Sequence, residues 1–353
     1  MKKTGSNAAC IFCAVMTFGC LLHAQIVPAL FMLICMVLCL QTVKQKIKWK
    51  KGIRTAVVVL CFLVGMGNYR LQPEAEVFGQ TGKQEESAAS GAEMEVHFID
   101  VGQGDATLVK CGDAAMLIDA GEGSKGTLLQ NYLQKQGVKK LDYLVITHPD
   151  SDHIGGAPVI ITKFEIDRVF VSDFEKDNRT YRKLIQALDD KNIQELTPKA
   201  GDEYALGDAS FRILGPSETY DDPNNASLIL LLQNGENRFL FTGDAEEEAE
   251  LAMLQNGADV KADVYQAGHH GSKSSSSEEL LDAVKPKAAV VSCEEGNSYG
   301  HPHAQTLNRL RSRGVNLYRT DEQGSVVAVS DGKEITWNCA PSETWKAGEP
   351  SGK

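Results

Sequence analysis

The chain has 353 residues, of which 42% are hydrophobic, so it can form a full core in one large domain or in two of ordinary size. Its formal net charge is −11, and because residues 1–54 hold eight Lys or Arg and no Asp or Glu, the remainder carries −19. An acidic domain does not attract polyanions at long range, which argues against tight DNA binding through a broad basic surface. A nuclease that contacts nucleic acid through metal ions and a local basic strip is compatible with this charge.

Residues 1–70 are predicted to form a membrane anchor. Apolar stretches cover residues 8–22, 26–43 and 53–69, and each is a little shorter than the roughly 20 residues of a full span, so two or three short transmembrane segments are expected. A cleaved signal peptide would account for the first stretch alone. The basic residues 44–51 and Lys2-Lys3 should stay cytoplasmic, which places the domain that follows outside the cytoplasm, anchored in membrane lipid of the cell membrane.

Six of the nine cysteines lie in this apolar region and are interpreted as small apolar residues in lipid. The other three, Cys111, Cys293 and Cys339, show no CxxC spacing and predict no disulfide framework, although one pair stays open. Residues 71–93 are acidic and rich in small polar residues, which predicts a flexible linker, and residues 341–353 predict a disordered tail of the same character.

Between the linker and the tail, residues 94–340 change to short strands separated by turns and helices. Apolar alternation and spacing predict strands over residues 94–101, 106–110, 114–119, 141–147, 168–171, 211–214, 228–232, 239–242, 264–267, 288–292 and 326–329. Helices are predicted over residues 126–136, 246–255, 277–284 and 304–313. Two strand-rich halves with interspersed helices indicate an α/β sandwich, with two mixed sheets face to face and the helices outside.

Residues 148–153, with the sequence HPDSDH, follow the strand predicted over 141–147 and precede two glycines. A strand end fixes the first side chain, and the loop after it can turn the next ones toward one point. Imidazole and carboxylate groups in this mixture suit a dinuclear site for divalent metal ions. Four potential ligands within six residues argue against an incidental polar turn. The predicted ligands are His148, Asp150, Asp152 and His153.

Three further segments place candidate residues at strand ends. The strand over 239–242 delivers Asp244, which could bridge two metals, although a Gly-Asp turn alone is more often structural. Adjacent histidines, His269 and His270, follow the strand over 264–267 and favour a metal site. Asp119 ends another strand, where it could orient a metal ligand or cap a turn.

These segments, in this order, resemble the metallo-β-lactamase superfamily and, more narrowly, the hydrolase domain of ComEC-type DNA-uptake proteins. The narrower resemblance covers essentially the whole domain. It rests on FIDVGQGDA at 98–106, HPDSDHIGG at 148–156, NASL at 225–228, TGD at 242–244, HHGSK at 269–273 and YGHP at 299–302.

The resemblance implies an αββα sandwich and a metal-activated water held by two divalent ions. Asp244 would bridge the two metals. The ligands implied are His148 and Asp150 for the first metal and, for the second, Asp152, His153 and either His269 or His270.

Two departures from the superfamily pattern concern the first metal. Asp150 stands where the superfamily has its usual second histidine, and the histidine expected before the strand over 228–232 is absent, with Asn224-Asn225 near that place. Oxygen-rich ligation shifts the preference from zinc toward manganese or magnesium, or leaves that site weakly filled. We therefore expect two divalent ions, with manganese or zinc as the alternatives.

The same motifs suggest roles in hydrolysis. Asp152 or Asp244 could accept a proton from the attacking water, and His301 could bind the substrate or protonate a leaving group. Ser272 and Lys273 could hold a phosphate oxygen. Other candidates for substrate binding or for orienting the ligands are Gln103, Asp105, Asp119, Asn225 and His303.

The leading functional hypothesis is hydrolysis of a phosphodiester, with single- or double-stranded extracellular DNA as the substrate that the resemblance suggests. A cell-envelope or small-molecule phosphoester is the alternative substrate class. A non-catalytic membrane module with a structural metal site is disfavoured, because structural sites are normally closed and tetrahedral. A β-lactam hydrolase is disfavoured by the missing histidines, and no obligate protein partner is evident.

Overall fold

The structure, a computed structural model, describes residues 93–350. The predicted membrane anchor at 1–70 lies outside the described residues, as do residues 71–92 of the predicted linker and residues 351–353 of the predicted tail. Within the described range, no helix is long and apolar enough to cross a membrane. The three cysteines found there, Cys111, Cys293 and Cys339, are free thiols.

Strands from both ends of the described range form the first sheet, which has eight strands in the order β15-β14-β1-β2-β3-β4-β5-β6. Strands β3, β4, β5 and β6 run parallel to one another, and the other neighbours are antiparallel. The strands are β1 Met94–Phe98, β2 Thr107–Cys111, β3 Ala114–Ile118, β4 Lys140–Ile146, β5 Glu165–Val171, β6 Glu195–Leu196, β14 Val326–Ser330 and β15 Ile335–Trp337.

The second sheet has seven strands in the order β13-β12-β11-β10-β9-β8-β7. Strands β10 to β13 are parallel, whereas β7 to β10 are antiparallel neighbours. The strands are β7 Glu203–Leu206, β8 Ala209–Gly215, β9 Ile229–Asn234, β10 Asn237–Phe241, β11 Val264–Gln266, β12 Ala288–Val291 and β13 Asn316–Arg319.

Helices lie on the outer faces of both sheets. Apolar residues of α1 to α4 pack on the first sheet, and those of α5 to α7 pack on the second. The helices are α1 Gly126–Lys135, α2 Ser151–Ile154, α3 Ala157–Lys163, α4 Arg179–Lys191, α5 Glu247–Gln255, α6 Glu278–Val284, α7 Ala304–Ser312 and α8 Thr320–Gln323, with short 3-10 turns at Gly123–Lys125 and His269–Gly271.

The main core lies between the two sheets. Alternation along β1 directs Met94, Val96 and Phe98 into this core, because successive side chains of a strand point to opposite faces. Strand β4 is apolar on both faces because helices cover the outer one, which explains its nearly continuous hydrophobic sequence. The result is the four-layer α/β sandwich, helix-sheet-sheet-helix, that the sequence predicts.

Every strand and helix predicted from the sequence overlaps one in the structure, but several elements were not predicted. The largest is α4, Arg179–Lys191, whose buried residues Leu184, Ala187 and Leu188 have helical spacing. Its strongly polar outer face hides this pattern in the sequence. Strands β6, β7, β13 and β15, which have two to four residues each, were missed as well.

The segment predicted to be a disordered tail contacts the domain over residues 341–350. The Ser342 N–H donates to the Leu317 carbonyl oxygen at 2.7 Å, and the Arg319 guanidinium donates to the Lys346 carbonyl oxygen at 2.6 Å. Trp345 packs against the core beneath the second sheet. The polar composition of this segment predicted disorder, although Trp345 packs against the domain.

The fold brings several strand ends to one edge of the sandwich. Parallel strands β3 and β4 of the first sheet end there, as do β10, β11 and β12 of the second. A hydrogen bond from the Leu228 N–H to the Thr147 carbonyl oxygen, 2.9 Å, joins the two halves next to His148. The loops that follow these strands carry the candidate functional residues.

A histidine on β1 links the fold to pH. His97 is buried under α1, with Nδ1 3.0 Å from the Tyr132 hydroxyl and Nε2 2.9 Å from Glu95. Burial lowers the pKa of His97 below its usual value, although Glu95 partly opposes this effect. The unfolded chain therefore binds a proton at His97 more readily than the folded protein does. At a pH above the pKa of His97 in the unfolded chain, its stabilising contribution is fully present. This contribution is lost as the pH falls through the lower pKa of the folded protein.

We expect the unfolding free energy of the wild-type chain to fall between pH 7 and pH 5 partly because of His97. His97→Gln should flatten this dependence by up to about 1.4 kcal/mol per pH unit, the value for one proton. Urea unfolding of both full-length proteins across this range measures the difference. Parallel curves would show that His97 binds its proton equally well in both states.

Candidate metal centre

Asp244 lies at the centre of the candidate site, in the turn that follows β10. Gly243 precedes it with φ +51°, and a Cβ there would lie 2.9 Å from the Thr147 Cβ, so this close approach of the two halves requires glycine. The Asp244 N–H donates to the Ser227 hydroxyl at 3.2 Å. The turn thus holds a carboxylate that is only 3% exposed in a defined orientation.

Four imidazole Nε2 atoms face the Asp244 carboxylate. His153 Nε2 lies 3.2 Å from Oδ1, whereas the Nε2 atoms of His148, His269 and His270 lie 3.7, 3.6 and 3.6 Å from Oδ2. His153 and His270 also approach each other, with their Nε2 atoms 3.3 Å apart. Both histidines of the His269-His270 pair therefore reach the site.

Acceptors behind the rings orient two of these histidines. The Asp119 carboxylate accepts the N–H of His153 Nδ1 at 2.8 Å, and the Ser292 carbonyl oxygen accepts that of His270 Nδ1 at 3.0 Å. Asp119 also accepts the Thr147 N–H and hydroxyl, at 2.9 and 2.7 Å. With Nδ1 engaged, each ring presents Nε2 to the Asp244 side of the site.

His148 is oriented through the same network. Because the Thr147 hydroxyl donates to Asp119, it can accept from His148 Nδ1, 3.1 Å away. This arrangement leaves the lone pair of His148 Nε2 directed into the site. One buried carboxylate, Asp119, therefore supports His153 directly and His148 through Thr147.

The backbone at the second histidine pair is unusual. His269, His270 and Gly271 have φ values of +49°, +55° and +78°, a run of left-handed conformations that is costly for residues with a Cβ. This 3-10 turn separates the two imidazole centroids by 6.1 Å and sets the ring planes at 74°. The strain allows consecutive residues to face one carboxylate.

Two more carboxylates border the site. Asp152 Oδ2 lies 3.4 Å from His270 Nε2, and Asp105 Oδ1 lies 3.7 Å from His270 Nδ1. The turn that carries Asp105 is held against the other loop by the Asp105 N–H, which donates to the Asp152 carbonyl oxygen at 3.2 Å. A Cβ at Gly104, where φ is +135°, would overlap that same oxygen.

These charges shift one another's pKa values. Burial alone would raise the pKa of Asp244, but His153 and His270 outweigh it and hold that pKa well below its usual range. Burial would lower the pKa of His153 and of His270, but the carboxylates, first among them Asp244, raise both well above their usual range. Burial and the neighbouring His153 hold the pKa of His148 well below its usual range.

The arrangement fits a divalent metal ion. Asp105, His153, Asp244 and His270 each offer one ligand atom, and these atoms all lie within 4.8 Å of one another. The buried atoms Asp105 Oδ1, His148 Nε2 and Asp244 Oδ1 have no hydrogen-bond partner within residues 93–350, a cost that a bound cation would remove. The 3.3 Å between His153 Nε2 and His270 Nε2 is also about the separation of two nitrogens on one tetrahedral zinc ion.

The structure does not bring every predicted residue into this cluster. The Asp150 carboxylate pairs with Lys176 Nζ at 2.6 Å instead of facing Asp244. Asn225, near the place of the missing histidine, accepts the Glu246 N–H at 3.0 Å and donates to Glu248 at 3.1 Å, so it holds the start of α5.

Three other predicted residues have their contacts at the periphery. The Gln103 side chain accepts the Glu294 N–H at 3.4 Å. The Ser272 hydroxyl lies 3.0 Å from that of Ser274. The Lys273 N–H donates to His303 Nδ1 at 3.0 Å, and the Lys273 side chain is exposed.

His301 lies beside the cluster, with its ring centroid 5.6 Å from that of His269 and 4.8 Å from that of His303. Burial, followed by the charges of nearby histidines, lowers the pKa of His301 to about 3. Its Nδ1 is buried and has no hydrogen-bond partner in the described part of the chain. The residues around His301, His303 and Lys273 form one rim of the candidate site.

Sequence reasoning missed residues that orient the predicted ones. Ser227 holds Asp244, Thr147 connects Asp119 to His148, and the Ser292 carbonyl holds His270. Ser227 and Thr147 lie within or beside the quoted motifs, so their position was a usable signal. The Ser292 carbonyl carries no sequence signal because any residue supplies one.

Comparisons with known proteins identify a family and several relatives. Residues 99–294, more than half of the chain, match the model of the metallo-beta-lactamase superfamily. ComE operon protein 3 of Bacillus subtilis is 33% identical over 260 residues, covering 67% of this chain and 33% of that protein. Recombination protein 2 of Haemophilus influenzae is 32% identical over 238 residues, covering 66% and 28%.

Competence protein ComA of Neisseria gonorrhoeae is 32% identical over 230 residues, covering 64% of this chain and 31% of that protein. The chain thus spans about a third of the length of these relatives.

We expect Asp119→Asn to lower the affinity for manganese or zinc by about 10- to 100-fold, because it removes the charge that orients His153. Titration of the metal-free full-length protein against a chromophoric chelator measures this change. Asp113→Asn, an exposed carboxylate in the turn between β2 and β3, is the matched control and should leave the affinity unchanged. Equal affinities for all three proteins would contradict the role of Asp119.

Proposed function

Since the chain belongs to the metallo-β-lactamase superfamily, we propose that it is a metal-dependent phosphodiesterase that hydrolyses DNA. The observation that carries this proposal is the buried Asp244 carboxylate faced by four imidazole Nε2 atoms. The choice of DNA is supported by the similar proteins named for competence and recombination, processes in which DNA is the material handled.

The proposed cofactor is a pair of divalent ions, manganese or zinc, which Asp244 and the histidines that face it would hold. Both of its carboxylate oxygens face imidazoles, since Oδ1 faces His153 and Oδ2 faces His148, His269 and His270. Bound ions would lower the pKa of a water and stabilise negative charge on the phosphodiester. The oxygen donors Asp105 and Asp152 favour manganese more than an all-imidazole site would.

Asp152 is the residue best placed to accept a proton from the attacking water. Its side chain is 21% exposed at the edge of the cluster, whereas that of Asp244 is 4% exposed. Burial would raise the pKa of Asp152, but the hydrogen bond to His270 and the neighbouring His153 lower it below its usual range, so the carboxylate is ionised. Oδ2 is the oxygen that faces His270.

Residues of the rim would bind the substrate. His301 would donate a hydrogen bond to a phosphodiester oxygen, because its ring lies beside that of His269, and the exposed Lys273 would add a positive charge to an otherwise acidic domain. His303 Nδ1 accepts the Lys273 N–H and the Ser272 hydroxyl accepts the Ser274 N–H, so both side chains support the backbone at and beside Lys273. These contacts need no broad basic surface.

We further propose that the enzyme is anchored in the cell membrane by residues 1–70 and that its hydrolase domain lies outside the cytoplasm. This proposal rests on the apolar stretches and the basic residues 44–51 of the sequence. Because the chain spans only about a third of the relatives, uptake or transport of DNA is not proposed for it.

The full-length protein, loaded separately with manganese and zinc, should cleave single- or double-stranded DNA and bis-p-nitrophenyl phosphate but not a β-lactam. Asp152→Ala should reduce the rate by about 10²- to 10⁴-fold, because it removes the proton acceptor. Asp208→Ala, an exposed residue in the turn between β7 and β8, serves as the control and should retain full activity.

Two outcomes would contradict the proposal. Turnover of none of these phosphodiesters with either metal would exclude the phosphodiesterase. With a phosphocholine ester added to the assay, cleavage of this ester or of bis-p-nitrophenyl phosphate without cleavage of DNA would instead favour a cell-envelope or small-molecule phosphoester as the substrate.

A further inference from the structure

An exposed aromatic ring stands beside the candidate metal centre. Tyr299 is 62% exposed, the highest value among the large hydrophobic residues of the described range that are exposed. Such a ring makes no contribution to the core, and exposing it to water is unfavourable. Its position next to His301 suggests a binding role.

The Tyr299 ring is stacked on the His301 ring. Their centroids are 5.5 Å apart with an interplanar angle of 18°, and the His301 centroid is 5.6 Å from that of His269. Two ring-to-ring steps therefore connect Tyr299 to a histidine that faces Asp244. A group held against Tyr299 would therefore lie at the rim of the candidate metal centre, beside His301.

The loop that carries Tyr299 is held rigidly by Asn297, which is 4% exposed. Asn297 Oδ1 accepts the N–H groups of Tyr299 and His301 at 3.1 and 3.0 Å, and Nδ2 donates to the carbonyl oxygens of Glu294 and His301 at 2.8 and 2.6 Å. A ring on a preorganised loop loses little conformational entropy when it binds a partner.

The C-terminal segment supports this loop from another side. The Gly348 N–H donates to the Pro302 carbonyl oxygen at 2.9 Å, and a Cβ at Gly348 would overlap the His301 carbonyl oxygen. Pro350 lies against Gly300, where an added Cβ would be 3.1 Å from the proline ring. The exposed ring of Tyr299 is thus fixed in place by its backbone and not by burial.

We propose that Tyr299 is a stacking platform for the nucleobase next to the scissile phosphodiester. This inference rests on the proposed function. An exposed, rigid aromatic ring offers a π-face to any base, and the exposed Lys273 on the same rim supplies a positive charge for the backbone. Because a base can stack on Tyr299 only when it leaves its own helix, the site should prefer unpaired nucleotides to intact duplex.

The test compares Tyr299→Ala and Tyr299→Phe with the wild-type holoenzyme on a single-stranded oligonucleotide. Tyr299→Ala should raise KM by roughly 5- to 150-fold, the range expected for one lost base–aromatic stack, with kcat within about twofold. Tyr299→Phe keeps the ring and should remain within about twofold of wild type in both constants. Metal content and thermal melting should be equal in all three proteins.

A second substrate separates stacking from other roles of Tyr299. On an oligonucleotide with abasic sites on both sides of the cleaved phosphodiester, the wild type and Tyr299→Ala should have the same KM. An equal KM increase of Tyr299→Ala on both substrates would overturn the stacking role, as would an unchanged KM on the normal oligonucleotide.

The failure of the inference is distinguishable from that of the proposed function. A wild-type enzyme that cleaves DNA with no effect of Tyr299→Ala would leave the phosphodiesterase intact and exclude the platform. A wild type that cleaves no phosphodiester would exclude both. A KM increase of the same size in Tyr299→Phe would assign the effect to the hydroxyl group and exclude stacking.

Discussion

The candidate site depends on the burial of one carboxylate among four imidazoles. Asp244 is almost completely removed from water, and an isolated buried carboxylate would be very costly, so positive charge must lie beside it. The facing histidines supply that charge through raised pKa values at His153 and His270. A divalent cation could take the place of those protons, and the metal affinity would then fall as the pH falls.

This constraint joins the two halves of the sandwich. Asp119, His148 and His153 follow strands of the first sheet, whereas Asp244 and His270 follow strands of the second. The Leu228–Thr147 backbone hydrogen bond and the close approach of Gly243 to Thr147 hold the two edges together at the site. Because ligands from both halves meet only in the folded chain, metal binding should stabilise the fold as a whole.

The sequence predicted the layers of the fold well because β-alternation, helical spacing and turn glycines are local signals. It also predicted most of the cluster, since His148, His153, Asp244 and His270 each follow a strand end. It predicted Asp150 as a ligand, whereas the structure pairs the Asp150 carboxylate with Lys176, in a loop 26 residues away. It assigned Asp105 to substrate binding or to orienting the ligands, whereas the fold places an Asp105 oxygen within 4.8 Å of ligand atoms of His153, Asp244 and His270. The sequence could not show this, because tertiary packing decides which carboxylate reaches the centre.

A metal ion bound between Asp244 and the histidines would be visible directly by anomalous diffraction. Crystals of the full-length protein grown with manganese, and separately with zinc, should be measured on both sides of the absorption edge of each metal. We expect an anomalous peak in contact with the side chains of Asp244, His153 and His270. Ordered, unchanged side chains with no anomalous peak among them, at saturating metal, would contradict it.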